Sequence, residues 1–161
     1  MIDTVRIRPL GEDDRAWERR LLEMQWGSTM MVTRGVLYDM SIFPGLVALR
    51  GDDRVGLLTY RIDGDQCEVM SLDSLVEGIG VGTALLETVQ DVARAAGCCR
   101  LWLITTNDNT YALRFYQKRG FHLAALYPNA LEESRRLKPQ IPLLGMDGIP
   151  LRDEIELELL L

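Results

Sequence analysis

Thirteen consecutive residues constrain this chain more than any others. Leu72-Asp73-Ser74-Leu75-Val76-Glu77-Gly78-Ile79-Gly80-Val81-Gly82-Thr83-Ala84 runs from a strand pattern, through three alternating glycines, into a helical pattern. Glycines let backbone N–H groups approach a bulky anion without side-chain obstruction. The first turn of a helix adds N–H groups outside the helical ladder and a partial positive charge. Together they suit a phosphate or pyrophosphate. The spacing excludes two phosphate motifs. With Thr at 83 the dinucleotide pattern G-x-G-x-x-G fails from Gly78, and from Gly80 it meets Leu85. The pattern G-x-x-x-x-G-K-[ST] is absent, so a nucleoside-triphosphate loop fails too. The same residues also fit a glycine-rich turn that only caps a helix, and by themselves they leave both readings open.

The flanking pattern predicts one mixed domain over residues 1–161. Val5–Pro9 reads as a short strand, and residues 12–24 as a helix with acids in its first turn and Arg19 and Arg20 later. Residues 26–44 are interrupted by Gly27, Gly35 and Pro44 and read as a broken helix or a mobile loop. Three strands follow, at 46–50, 55–62 and 66–72, separated by Gly51-Asp52-Asp53 and Asp63-Gly64-Asp65. Such short turns join antiparallel neighbours. Residues 80–96 carry Val81, Leu85, Val89 and Val92 at helical spacing and stop at Gly97. A strand at 101–105, a helix at 109–119 and a strand at 121–126 come next. Strand–helix–strand order needs crossovers, hence a parallel patch. Residues 128–150, with four prolines, read as a long connection. In the last eight residues Ile155, Leu157, Leu159 and Leu161 alternate with Glu154, Glu156 and Glu158, the pattern of a half-buried terminal strand. This leucine-rich strand is a candidate for pairing with a second copy of the chain, which would make a homodimer.

Charge and cysteine usage narrow the function classes. Eighteen basic against twenty-four acidic residues, a net charge of −6, make a poor nucleic-acid footprint and favour cationic or amine partners. Cys67, Cys98 and Cys99 lack C-x-x-C spacing, so neither a zinc site nor a redox pair is suggested, and no metal is expected. They read as free thiols of a reducing compartment. Met1-Ile2-Asp3-Thr4-Val5-Arg6 lacks the apolar run of a signal peptide, and no stretch reaches membrane-spanning length. The expectation is a cytoplasmic protein with no membrane partner.

Residues 77–82 are similar to the Gln/Arg-x-x-Gly-x-Gly/Ala loop of the GNAT superfamily of acyl-CoA N-acyltransferases. The run Asn107-Asp108-Asn109-Thr110-Tyr111-Ala112-Leu113-Arg114-Phe115-Tyr116-Gln117-Lys118-Arg119-Gly120-Phe121 resembles that superfamily's second signature, an Asn before a helix ending in Phe-Tyr-x-x-x-Gly-Phe. The resemblance covers roughly residues 46–126. It implies an α/β (α+β) fold with a mixed, mostly antiparallel central sheet flanked by helices. It also implies acetyl-CoA as acyl donor and a primary amine acceptor attacking directly in a ternary complex. One departure is Glu77, where the family has Gln or Arg. Family members hold the phosphates mainly through backbone N–H groups, so Glu77 is expected to face solvent.

The resemblance also implies residue roles. Glu77, Gly78, Ile79, Gly80, Val81, Gly82 and Thr83 would cradle the pyrophosphate. Residues 70–72, with Met70 and Leu72, would splay from 101–105 and pair with the pantetheine arm, an N–H near Leu72 polarising the thioester. Tyr116 matches the tyrosine that protonates the leaving thiolate. A phenol with a pKa of about 10 can donate at neutral pH. Its alternative is an aromatic core residue. Asn107 and Asn109 would bind the pantetheine arm, or Asn109 caps a helix.

Strand alternation places Glu68 on the face of Met70 and Leu72, making it the first candidate base, with Asp73 the second. The alternative for Glu68 is an ordinary exposed strand carboxylate. The single histidine, His122, reads as structural or solvent-facing. Trp26, Met30 and Met31 read as core; the alternative is that they line an acceptor pocket together with Arg34. Arg135, Arg136 and Lys138 form a basic cluster whose default is a solvated face and whose alternative is contact with the coenzyme's ribose phosphate or with an acidic acceptor. A second function class stays open: the same fold as a non-catalytic acyl-CoA sensor or interaction module. Glu68 and Tyr116 favour the enzyme, since a sensor needs neither.

Overall fold

The computed structural model describes residues 4–161. Residues 1–3, where the reading against a signal peptide begins, lie outside it. In chain order the described residues form β1 (Val5–Pro9), α1 (Arg15–Trp26), β2 (Met30–Thr33), β3 (Val36–Asp39), β4 (Gly45–Arg50), β5 (Asp53–Asp63) and β6 (Gln66–Ser74). These are followed by α2 (Val81–Ala95), β7 (Arg100–Thr106), α3 (Thr110–Lys118), β8 (His122–Tyr127), α4 (Ala130–Leu137) and β9 (Glu154–Leu160). Contacts group them into two compact units. The first is Met1–Thr29, Met40–Leu101 and Leu161; the second is Met30–Asp39 and Trp102–Leu160.

In the first unit β1, β4, β5 and β6 form an antiparallel meander in that order. The predicted strands all appear, each within two residues of its expected ends. Gly51 and Gly64 turn the chain at φ +61° and +60°, the left-handed region that favours glycine. Gly56 lets a helix approach. A Cβ there would collide with the side chains of Val81 and Leu85, so its absence lets the first turn of α2 sit directly on β5. α2 buries Val81, Leu85, Leu86, Val89 and Ala93, while the predicted Val92 is only half-buried. Each such Val or Leu contributes about 1.5–3 kcal/mol on burial. The helix stops at Gly97 (φ +83°), where the N–H of Cys98 reaches the Ala93 carbonyl and that of Gly97 the Arg94 carbonyl. An ion cluster around the buried Asp14 pins the entry to α1. The carboxylate of Asp14 accepts from Arg8, from Arg54 at 2.9 Å and from the Gly11 N–H at 2.8 Å. The bond from Arg8, first of all, holds its carboxyl well below the usual range.

In the second unit β9 lies between β7 and β8, and β8 and β9 are antiparallel. Both edges of β9 are therefore occupied, which removes the basis for pairing a second copy through that strand. Its glutamate face is not the solvated one expected either. Glu154 and Glu156 are both buried. The helix α3 starts at Asn109, whose side chain accepts from the Ala112 N–H at 3.0 Å. It ends at Gly120 (φ +95°), with the Phe121 N–H on the Tyr116 carbonyl.

Two segments of this unit differ from expectation. Residues 30–39 are a β-hairpin, β2 with β3, rather than a broken helix or loop. Its turn is Arg34-Gly35, both at positive φ (+51° and +74°). That is the geometry hairpins favour, but Asn or Asp normally signals it, and arginine hides it. Residues 128–150 contain α4, which buries only Leu131 and Ser134. So short an apolar stripe, flanked by Pro128 and Pro139, carries little helical signal. Both units combine mostly antiparallel strands with helices, the mixed α/β class that was expected. Among the described residues no helix is long and apolar enough to cross a membrane.

Candidate active site

The glycine loop of the first unit leads into the N-terminus of α2. Gly78 and Gly80 adopt φ +81° and +80°, and a Cβ at either would meet nothing within 4 Å. These glycines are required by conformation, and the space beside them is open. Gly80 caps α2, and the first helical bond runs from the Ala84 N–H to the Gly80 carbonyl at 3.0 Å. The N–H groups of Val81 and Gly82 thus precede the helical ladder at the positive end of a 15-residue helix. Ile79 and Thr83 are half-buried at the rim. Glu77 is exposed, as expected.

The strand leading into this loop departs from simple alternation. Between β5 and β6 the pairs run Leu57↔Asp73, Leu58↔Leu72, Thr59↔Ser71, then Tyr60↔Val69 and Arg61↔Glu68. Met70 is the extra residue of a β-bulge. Residues 57, 59 and 61 share one face of β5, so their partners Asp73, Ser71 and Glu68 share it too. Glu68 therefore does not lie on the face of Leu72, as strict alternation predicted. It belongs with Asp73. The other face, with Gly56 and Leu72, carries α2.

This arrangement makes a buried polar stripe. Thr59 and Ser71 exchange a hydroxyl bond at 2.6 Å. Glu68 is 4% exposed and accepts from the Arg61 guanidinium at 3.5 Å, so it is not the exposed strand carboxylate of the alternative reading. Asp73, 8% exposed, accepts from the Trp26 indole N–H at 3.4 Å. Burial pushes its carboxyl up to about 6, against the opposing pull of that N–H. Trp26 is not a core residue. It ends α1 and is 42% exposed.

In the second unit the Tyr116 ring is buried between Phe115 and Phe121, edge-on to both at 5.2 and 5.4 Å. Asn109 is the cap of α3. Asn107 is committed to backbone. Its amide donates to the Pro150 carbonyl at 2.8 Å, and its carbonyl accepts from the N–H groups of Arg152 and Asp153. Neighbouring Asp108 was not singled out from sequence. It is buried, accepts from the Met146 N–H at 2.9 Å, and fits only because residue 145 is glycine. The basic cluster is only in part the solvated face expected: Arg136 is exposed, whereas Arg135 and Lys138 are half-buried. Arg135 donates to the carbonyls of Ile141, Pro142 and Leu151, and Lys138 to that of Met30 at 2.9 Å. Arg136 pairs with Glu133. Arg34 lies over the rings of Trp102 and Tyr127, and its N–H reaches Glu154, whose carboxyl burial pushes up. Glu156 accepts from the Tyr127 hydroxyl at 2.8 Å. His122 is exposed beside Glu158 at 3.1 Å. Of the thiols, Cys67 and Cys98 are buried and Cys99 is exposed. All three are free, and burial pushes Cys67 up to about 12.

Known proteins resemble this chain in sequence and in fold. The Acetyltransferase (GNAT) family matches residues 14–121. The chain is 47% identical over 131 residues to YdhI, an uncharacterized protein of Bacillus subtilis (strain 168), covering 81% of this chain and 82% of that one. An IAA acetyltransferase from Bacillus cereus ATCC 14579 is similar in structure, with a TM-score of 0.77 and 23% identity, over 98% of this chain and 100% of that one. A Bacillus subtilis acetyltransferase in complex with CoA has a TM-score of 0.70 and 18% identity, over 98% and 99%. At these identities the solved structures share the fold, while the family match spans the glycine loop and the α3 signature alike. This chain therefore belongs to the GNAT family of acetyltransferases.

Proposed function

We propose that the protein is an N-acetyltransferase that moves the acetyl group of acetyl-CoA to a primary amine by direct attack in a ternary complex. The observation that supports this most is the cradle: two left-handed glycines with open space beside them, leading into the free N–H end of α2. A pyrophosphate fits such a place, and a Bacillus subtilis acetyltransferase of similar fold is in complex with CoA. Gly78, Ile79, Gly80, Val81, Gly82 and Thr83 hold the pyrophosphate, and the backbone of Met70 and Leu72 holds the pantetheine arm. An amine nucleophile must first lose a proton. Glu68 and Asp73, on one face of β5–β6, are the carboxylates available for this. Nitrogen then attacks the thioester carbon, an N–H near Leu72 stabilises the oxyanion, and Tyr116 gives its proton to the departing thiolate.

The test is a screen of primary amines with acetyl-CoA, read by release of free thiol, on the protein and its Tyr116→Phe variant. The expected result is acceptor-dependent thiol release that falls about 10²–10⁴-fold in the variant, with acetyl-CoA affinity little changed. Binding of acetyl-CoA without thiol release from any acceptor would sink the enzyme reading and leave a sensor.

A further inference from the structure

The two carboxylates of the polar stripe differ in what surrounds them. Glu68 faces a guanidinium, that of Arg61, its direct cross-strand partner. Asp73 sits two pairs further along the same face, opposite apolar Leu57. The group that reaches it from α1 is the neutral Trp26 indole. Asp73 is also the nearer in sequence to the glycine loop, five residues before Gly78. Trp26 is 42% exposed and ends α1, where the Gly27 N–H closes the helix on the Glu23 carbonyl. Helix C-terminal carbonyls and an indole ring both attract cations. A protonated amine is such a cation.

We propose that Asp73 is the catalytic base, taking the proton from the acceptor's ammonium group, and that Trp26 is the positioning residue that orients its carboxylate through the indole N–H. The reading rests on the acetyltransferase function proposed above and names the acceptor as one that arrives protonated. The proton balance is complete without another reagent. The ammonium gives one proton to Asp73, which passes it to solvent. The neutral amine forms the C–N bond as the C–S bond breaks. The second proton leaves nitrogen for solvent, and the thiolate takes one from Tyr116, which solvent replaces. Burial supports the role, since it brings the Asp73 carboxyl up to about 6, close to working pH. On its face of the sheet the charged groups include Glu68 and Arg61 of β5–β6 and, across Val47, Arg8 of β1, which pairs with Asp14; α1, which brings Trp26, also carries the buried Glu18 paired with Arg15.

The experiment compares the protein with Asp73→Asn, Glu68→Gln and Trp26→Phe. Each is measured for kcat/KM of the amine that reacts fastest among benzylamine, spermidine, L-lysine and an alanyl peptide, from pH 5 to 10. Acetyl-CoA affinity is measured alongside by calorimetry. Asp73→Asn is expected to lose at least about 10²-fold at neutral pH. It should also lose the acid limb near pH 6 and recover as solution deprotonates the amine, with acetyl-CoA affinity unchanged. Trp26→Phe removes a donor that favours the charged carboxylate, so its acid limb should move to higher pH. Glu68→Gln should keep the limb. If instead Glu68→Gln abolishes the limb and Asp73→Asn keeps it, the assignment is overturned. A carboxyl ¹³C titration of the protein decides independently of turnover. A midpoint for Asp73 near 6 is expected, and one near the ordinary 3.8 overturns the proposal. Failure of the parent reading shows differently, as absence of both acetyl-CoA heat and thiol release in the unmodified protein.

Discussion

At the scale of the residue, Asp73, as the proposed base, would serve chemistry at the expense of stability. Its carboxyl is raised from 3.8 to about 6 in the folded chain because burial disfavours the charge. Below the unfolded value both states are protonated and the group costs nothing. As pH rises from about 4 to about 6 the unfolded chain ionises first, and folding stability falls. Above that window the cost is fully present, roughly 1–3 kcal/mol for about two units. Asp73→Asn keeps the shape and removes the charge. It should therefore melt higher than the unmodified protein at pH 8 and converge with it at pH 4, even as it loses activity. Thermal melts at the two pH values check this, and equal melting temperatures at pH 8 would show that the buried charge carries no such penalty. The position of Asp73 and Glu68 on one face was hidden from the sequence because alternation counts residues. The bulge at Met70 breaks the count, and only the pairing with β5 reveals it.

At the scale of the element, the turn into α2 carries the ligand hypothesis. Gly80 sits at φ +80° with open space where a side chain would project. Asn and Asp tolerate this conformation nearly equally, each with a strain of about 1–2 kcal/mol. Comparing Gly80→Asn with Gly80→Asp separates strain from charge. Both should lose similar stability, while only the aspartate should abolish acetyl-CoA binding, because it places a negative charge against a pyrophosphate. Equal affinities in the two folded variants would reduce the loop to a helix cap. A second element-scale result is Gly56. Its missing Cβ lets Val81 and Leu85 rest on β5, so this glycine sets how closely the cradle helix can dock. The same logic failed to be visible at Arg34-Gly35, whose left-handed turn carries no Asn or Asp to announce it.

At the scale of the whole molecule, ligand binding and folding are linked. A ligand that binds the folded chain and not the unfolded one stabilises it by mass action. Acetyl-CoA at about 100 times Kd should add about 2.7 kcal/mol. NADH and ATP should add nothing, since the loop has neither the dinucleotide nor the triphosphate spacing. Differential scanning calorimetry with millimolar ligand measures all three, and a shift by NADH matching that of acetyl-CoA would contradict the assigned ligand class. The acidic balance of the chain, −6, accords with a cationic acceptor through its sign alone.

What the sequence determined by itself were the features written in local pattern. The meander follows from alternation punctuated by Gly51 and Gly64. The amphipathic helix and its stop at Gly97, the glycine entry to α2, and the Asn109 cap and Gly120 stop of α3 are likewise decided within a few residues of themselves. These are short-range because dihedral preference and hydrophobic period act over one or two turns. Tertiary structure alone decided the rest. Arg135 and Lys138 look like a solvated cluster until the carbonyls of residues 141–151 and of Met30 arrive to receive them. Glu154 and Glu156 look solvent-facing until Thr33, Arg34 and Tyr127 cover them. Asp73 becomes more than a strand carboxylate only when Trp26, 47 residues away in sequence, closes over it. The partner of a polar group, and so its charge, is fixed by residues distant in the chain, and no local pattern encodes which of them will come near.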